Sequence, residues 1–178
     1  MTTLFEARVA TYLRRANSHP DSIVRGRRYE RLLTYLMESV PGCTTERNTL
    51  NYYKTEEVDV TVGNSRPPDG LTMLPSVFLI ECKNWSHPVD STVVGYFVNV
   101  LADRGCTLGI LATANGITGR QEHRERAYAI GSNALVRGIR ILVVTSEDIQ
   151  KLSCPKDFIG LLHKRNLALT AHGTIYFD

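Results

Sequence analysis

Hydrophobic residues recur at helical spacing through the first 40 residues of the chain. Apolar side chains lie three or four positions apart over residues 4–15 and again over residues 29–40, which predicts two amphipathic helices. Asp21 or Ser22 can cap the start of the second helix, and Pro41-Gly42 ends it. A helical segment is therefore expected before residue 43.

After this point the spacing changes to that of extended strands. Residues 57–62 alternate strictly, with Val58, Val60 and Val62 on one face, as in a strand with one buried face. Residues 44–53 are compatible with an additional first strand. Three short apolar runs bounded by turn residues are typical of buried strands. They comprise residues 77–83, 107–113 and 139–145.

Helical patterns separate the later strands. Residues 92–104 follow the cap-forming pair Asp90-Ser91, and residues 118–137 form a charged amphipathic stretch. This alternation of strands and helices predicts an α/β fold with crossover helices. After Ser146 we expect one or two helices and a last strand over residues 174–177.

Length and composition fit one globular domain. The chain has 178 residues and a formal charge of +3, a mildly basic balance that permits a nucleic-acid partner without requiring one. The four cysteines are far apart and lack metal-ligand or CxxC spacing, so we expect a reduced, cytoplasmic compartment. With no basic leader and no long apolar run, we expect neither a signal peptide nor a membrane span.

Two charged residues end the strand over residues 77–83. Glu81 and Lys83 are two positions apart and project to the same side, while Cys82 faces the core. Asp59, on the polar face of the preceding strand, can lie beside Glu81 if the two strands pair. Buried charges are costly unless they pair or bind a cation. A strand-end ion pair is the simplest interpretation of Glu81 and Lys83, and a catalytic site is the more specific one.

Two carboxylates and a lysine in this arrangement suit phosphodiester hydrolysis. Neighbouring carboxylates repel, and a hard divalent cation such as Mg²⁺ relieves the repulsion. The cation can activate a water for attack on phosphorus, and an adjacent lysine can orient that water and stabilise the developing anion. Asp59, Glu81 and Lys83 are therefore candidate catalytic residues, with Asp59 and Glu81 as the metal ligands.

The same residues resemble the PD-(D/E)xK nuclease superfamily. The segment Glu81-Cys82-Lys83-Asn84-Trp85 is similar to this motif in Mrr-like restriction endonucleases and in their Holliday-junction-resolvase-like relatives. Asn115-Gly116-Ile117-Thr118 resembles the segment downstream of the motif in those proteins, and the similarity covers residues 21–149. The resemblance implies a restriction-endonuclease-like core, a central mixed β-sheet flanked by helices in the order αβββαβ with an additional αβ unit.

The resemblance also implies an activity. In such nucleases the aspartate and glutamate bind Mg²⁺, for which Mn²⁺ can substitute, the lysine serves the attacking water, and a helix glutamate, here Glu30, supports the site. A DNA endonuclease acting in defence against foreign DNA is therefore expected. A homodimer would cut both strands, and a partner protein could supply specificity.

The resemblance further suggests a division of the chain. Residues 1–178 would form one nuclease-like domain. It would have an N-terminal helix over residues 1–20, a catalytic core over residues 21–149 and a C-terminal helical extension over residues 150–178.

Alternatives remain open for two carboxylates. The literal Pro68-Asp69 also stands at a spacing from Glu81 that the family allows, but its surroundings have the composition of an exposed turn, so Asp59 is preferred. Glu30 is as compatible with a solvated helix glutamate beside Arg27 or Arg31 as with a role at the metal.

Several residues are candidates for contact with nucleic acid. Basic side chains cluster near the second helix and near the start of the helix over residues 118–137, and Trp85 could stack on a base. The candidates are Arg27, Arg28, Trp85, Arg120, Gln121 and Arg124. A nuclease-fold module that binds nucleic acid or assembles complexes without cutting, and an RNA-cleaving nuclease, are the alternative functions.

Overall fold

The computed structural model describes residues 3–51, 56–117, 121–173 and 175, without the side chains of residues 121–126 and 128. The described residues form helices and strands that alternate after the first two helices. The elements are α1 (Leu4–Asn17), α2 (Ser22–Glu38), β1 (Cys43–Leu50), β2 (Glu57–Asn64), β3 (Val77–Lys83), α3 (Ser91–Asp103), β4 (Leu108–Thr113), α4 (Gln121–Val136), β5 (Arg140–Thr145), α5 (Ser146–Gln150) and α6 (Pro155–His172).

Local chemistry sets the limits of α2. Asp21 is its N-cap, because the Asp21 side chain accepts a hydrogen bond from the Ile23 backbone N–H at 2.8 Å. After the helix ends, Gly42 adopts a φ of +76°. A Cβ atom there would lie 2.4 Å from the Pro67 ring, so the turn needs a glycine. The cap and the end of this helix were predictable from the sequence.

One five-stranded sheet organises the chain, in the order β1-β2-β3-β4-β5. β1, β2 and β3 are antiparallel neighbours, whereas β3, β4 and β5 run parallel. Parallel neighbours need crossover connections, and α3 and α4 supply them. The predicted α/β class, the mixed sheet and the order αβββαβ followed by αβ are confirmed.

Helices pack closely against this sheet. α2 contacts β1, β2 and β3, and α1 lies against α2. At Gly109 of β4, an added Cβ atom would lie 2.6 Å from the Phe97 ring of α3, so α3 covers this face of the sheet closely. Leu79 pairs with Gly109 in the parallel register, and Glu81 lies two residues further along the same face. The α3 side of the sheet therefore carries the charged end of β3.

The tail after β5 is described only in part. α5 and α6 account for the predicted helices. The strand predicted over residues 174–177 falls outside the described residues, apart from Ile175. The first residues of the helix predicted over 118–137 also fall outside them. No helix in the described part of the chain is both long and apolar enough to cross a bilayer.

Candidate active site

β2 and β3 bring the two strand carboxylates together. Val60 pairs with Ile80, and continuing this antiparallel register by one residue sets Asp59 beside Glu81. Asp59 Oδ2 accepts a hydrogen bond from the Cys82 backbone N–H at 2.7 Å. The Asp59 side chain therefore reaches across to the end of β3, where the sequence predicted that it would lie.

Glu81 and Lys83 form a direct ion pair. Lys83 Nζ lies 2.5 Å from Glu81 Oε1, and only 5% of Glu81 is exposed. Lys83 Nζ also lies 5.9 Å from the centre of the Trp85 ring, within the range of a cation–π contact. The Lys83 ammonium thus contacts both the buried Glu81 carboxylate and the Trp85 ring. The contact with Glu81 alone would also be expected of a structural ion pair.

Glu30 approaches the same place from α2. It is 9% exposed, and its Oε2 is buried with no hydrogen-bond partner among the described residues. Glu30, Asp59 and Lys83 line one polar cavity of about 320 Å³. A buried carboxylate oxygen without a donor is unusual, because burial without a partner costs free energy. The solvated-surface interpretation of Glu30 therefore does not fit its position.

Burial and neighbouring charges raise the pKa values of the three carboxylates. Burial, followed by the charge of Asp59, raises the pKa of Glu81 to about 7, and Lys83 offsets only part of this. Burial also raises the pKa of Asp59 and, together with the Asp59 charge, that of Glu30. Burial is the largest influence on Lys83 and would lower its pKa, but the charge and hydrogen bond of Glu81, together with the charge of Asp59, raise the Lys83 pKa overall. The cluster thus places three carboxylates, Glu30, Asp59 and Glu81, around the single ammonium of Lys83.

These residues fit a divalent cation. The unpartnered oxygen of Glu30 and the mutual repulsion of Asp59 and Glu81 are both relieved by positive charge. In the described residues, no group of three or more His, Cys, Asp and Glu side chains is arranged to hold a metal ion. Such a cation would therefore rely on one or two carboxylates, with waters and substrate phosphate oxygens completing its shell, as Mg²⁺ commonly does.

The raised pKa of Glu81 makes a prediction about stability. An acid with a raised pKa in the folded state stabilises the fold below its unfolded pKa, and this stabilisation is lost as the pH rises through the folded pKa. For Glu81 the loss should occur between its ordinary pKa of 4.5 and about 7. At 1.36 kcal/mol per pKa unit, it is on the order of 3 kcal/mol.

Denaturant unfolding of the wild type and Glu81→Gln between pH 5 and pH 8 measures this effect. Asp59 and Glu30 are present in both proteins, so the difference between the two curves reports Glu81 together with its charge coupling to these neighbours. The variant should gain stability relative to the wild type as the pH rises. Parallel curves would contradict the proposed environment of Glu81.

Of the residues predicted to contact nucleic acid, some line the catalytic cavity and others do not. Arg27 and Trp85 line the cavity with Glu30. Arg28 instead donates a hydrogen bond to the Arg15 carbonyl at 2.7 Å. Arg120 and the side chains of Gln121 and Arg124 lie outside the described residues. The proposed nucleic-acid contacts of these residues stay predictions.

Asp69 lies away from the cluster. It is exposed in a turn closed by a hydrogen bond from the Gly70 N–H to the Pro67 carbonyl at 2.9 Å. It borders a separate cavity near Pro41 and Pro155. Its position agrees with the preference for Asp59 as the strand carboxylate.

Two neighbours of the site were missed in the sequence. Asn84 is buried and donates a hydrogen bond to the Ala16 carbonyl at 3.0 Å, which ties the end of β3 to α1. Asn48 of β1 lines the cavity with a φ of +54°, a conformation that asparagine tolerates better than most residues. The position of Asn84 directly after the Glu-x-Lys triplet was a usable signal, whereas Asn48 had none.

The sheet order, with a carboxylate pair and a lysine on β2 and β3, is the arrangement expected of the PD-(D/E)xK class of nucleases. Comparison with known families agrees. A family model described as a restriction endonuclease, the Mrr catalytic domain, matches residues 23–151, most of the chain. This chain therefore belongs to the Mrr-like restriction endonuclease family. A search of curated proteins found no match.

Proposed function

We propose that this chain is a divalent-metal-dependent endonuclease that hydrolyses phosphodiester bonds in DNA. The observation that carries the proposal is the convergence of Glu30, Asp59 and Lys83 on one polar cavity. Glu81 lies next to this cavity and forms an ion pair with Lys83. Membership of a restriction endonuclease family supports a nuclease with DNA as substrate. The ion, the residue roles and the biological use are inferred from the chemistry of the cluster.

Asp59 and Glu81 are the proposed ligands of the cation, Mg²⁺ or Mn²⁺. When bound, such an ion makes a coordinated water more acidic and neutralises charge on the phosphate. Lys83 has three N–H donors, so it can keep its bond to Glu81 and still hold the attacking water. Water attack on phosphorus breaks the bond to the 3′ oxygen, which leaves and takes up a proton, so the product carries a 5′-phosphate.

Glu30 has a supporting role in this proposal. Its unpartnered Oε2 can accept a hydrogen bond from a water at the site and hold that water in place. Arg27 and Trp85 border the same cavity and are the proposed contacts to the substrate backbone and bases. Arg28, Arg120, Gln121 and Arg124 are further candidates for contact with nucleic acid.

The domain organisation, the oligomeric state and the biological role are also proposed. We take residues 1–178 as one nuclease-like domain, which supplies one catalytic cluster per chain. Cutting both strands of a duplex with such a domain would require a homodimer or two successive events. Defence against foreign DNA, with specificity supplied by a partner protein, is consistent with the family.

Asp59→Asn should reduce cutting of a supercoiled plasmid in Mg²⁺ by at least about a hundredfold, because the metal ligand loses its charge. The amide keeps an oxygen that can accept from the Cys82 N–H, so the fold should persist. Asp69→Asn is the matched control, since it removes the same charge from an exposed turn, and it should cut like the wild type.

The assay separates the alternatives. Chelation should stop cutting by the wild type, and an RNA of the same sequence should be cut more slowly than DNA. Equal residual cutting by all three proteins would indicate a contaminant and remove the proposal. Salt-dependent DNA binding without any cutting would favour a non-catalytic nuclease-fold module.

A further inference from the structure

A second cavity of about 670 Å³ lies next to the catalytic cavity. It opens where β3, β4 and β5 end, and residues directly after each of these strands line it. Ligands of α/β proteins commonly bind outside the carboxyl ends of parallel strands. Asn84 and Trp85 line both cavities, so an extended molecule can occupy the two at once.

The lining of this second cavity is polar but close to neutral. Of its lining residues, Arg25 and Glu147 carry formal charges. Arg25 Nη1 already donates to the His19 and Pro20 carbonyls at 3.0 and 2.9 Å, and Glu147 pairs with Lys151 at 2.7 Å. The two opposite charges leave the lining with no net formal charge, so it attracts a phosphate group less than a basic cavity would.

Carboxamides supply most of its hydrogen-bonding capacity. The amides that line it are Asn17, Asn84, Asn115 and Gln150. Each carboxamide has donors and an acceptor side by side, as the edge of a nucleobase does, which makes asparagine and glutamine natural readers of bases. Trp85 adds an aromatic surface on which a base can stack. This combination fits a flat, uncharged ligand with several hydrogen-bonding groups.

The amides differ in how firmly they are held. Asn84 donates to the Ala16 carbonyl at 3.0 Å, and Asn115 donates to the Trp85 carbonyl at 2.5 Å. These two bonds fix the wall that carries Trp85. Asn17 and Gln150 are exposed, and their side chains take part in none of the hydrogen bonds described for this chain. Their amides can therefore turn toward a ligand.

We propose that this cavity is a nucleobase subsite, which takes an unpaired base from the nucleotide adjoining the phosphate at Glu81 and Lys83. The inference rests on the proposed function in that the base belongs to the nucleic acid being cut. Trp85 links the two cavities, because it lines both of them and its ring centre lies 5.9 Å from Lys83 Nζ.

Trp85 provides a direct test, because it is the one tryptophan of the chain. The 178-residue chain, kept in chelator so that no cutting occurs, is titrated with a short single-stranded oligonucleotide while its tryptophan emission is recorded. An oligonucleotide with bases should quench the emission. A chain of abasic nucleotides of equal length and charge should not. Equal quenching by the two, or quenching by inorganic phosphate alone, would overturn the proposal.

A double variant, Asn17→Ala with Gln150→Ala, tests the amides. Its affinity for the oligonucleotide with bases should fall roughly threefold to tenfold for the loss of one or two hydrogen bonds. Its affinity for the abasic chain should be unchanged. Asn133→Ala, which removes an exposed amide of α4 that lines neither cavity, is the matched control. Equal losses for both oligonucleotides would contradict base recognition.

Two further arms identify the source of the base. If the base comes from single-stranded nucleic acid, a matched duplex should leave the emission unchanged. If the protein extrudes it from a duplex, a matched duplex and one with a single bulged base should both quench. Quenching without plasmid cutting in Mg²⁺ would retain the subsite and remove the proposed function. Normal cutting without base-dependent quenching would remove the subsite and retain the proposed function.

Discussion

Glu81→Gln is expected to reduce DNA cleavage by at least about a thousandfold without unfolding the protein. The substitution keeps the shape of the side chain and removes the charge that would hold the cation. Glu81 is nearly fully buried beside Asp59, so water from the solvent cannot take over the role of its carboxylate. An amide ligates a hard cation more weakly than a carboxylate, and it no longer balances the Lys83 ammonium.

Cleavage rates of purified proteins at several Mg²⁺ concentrations measure this effect. Glu46→Gln is the matched control, because Glu46 is an exposed glutamate of β1. The control should cut at the wild-type rate, and thermal unfolding should confirm that both variants are folded. A Glu81→Gln protein that cuts within about tenfold of the wild type would exclude Glu81 as an essential ligand.

Lys83→Met is expected to reduce the cleavage rate by about a hundredfold to a thousandfold while leaving the cation bound. Methionine preserves much of the packing beside Trp85 but has no ammonium to orient water or stabilise the developing anion. Glu81 also loses its 2.5 Å ion-pair partner. Its carboxylate becomes fully available to a cation, so affinity for Mn²⁺ should be equal to or higher than that of the wild type.

Calorimetric titration with Mn²⁺, together with cleavage rates, distinguishes this role from that of a ligand. Lys164→Met is a matched control, since Lys164 is an exposed lysine of α6 that lines neither cavity. That control should change neither quantity by more than about twofold, because exposed surface substitutions usually have small effects. Loss of Mn²⁺ binding in Lys83→Met would show that Lys83 maintains the site rather than acting on the water.

Local sequence patterns were sufficient to predict the strands and the orientation of Glu81, Cys82 and Lys83. Alternation in residues 57–62 separated Val58 from Asp59, and the same rule put Glu81 and Lys83 on one side of β3. Alternation also favoured Asp59 over Asp69, which lies in an exposed turn. These features depend on neighbouring residues, so a single sequence contains them.

Contacts between distant segments were less predictable. The approach of Glu30 to Asp59 depends on how α2 packs against the sheet, and helix periodicity alone left Glu30 between a solvated and a buried position. The second cavity joins residues from α1, from α2, from the ends of three strands and from α5. No sequence spacing relates such segments, because tertiary packing sets their proximity.

The most direct measurement is anomalous diffraction from crystals of the 178-residue chain soaked in Mn²⁺. The proposed site predicts a peak between the carboxylate oxygens of Asp59 and Glu81, and no such peak in Glu81→Gln crystals treated in the same way. A peak only at other acids, such as Asp69, or no peak at millimolar Mn²⁺ in crystals of a protein that cuts DNA, would contradict the assignment of this cluster as the catalytic metal site.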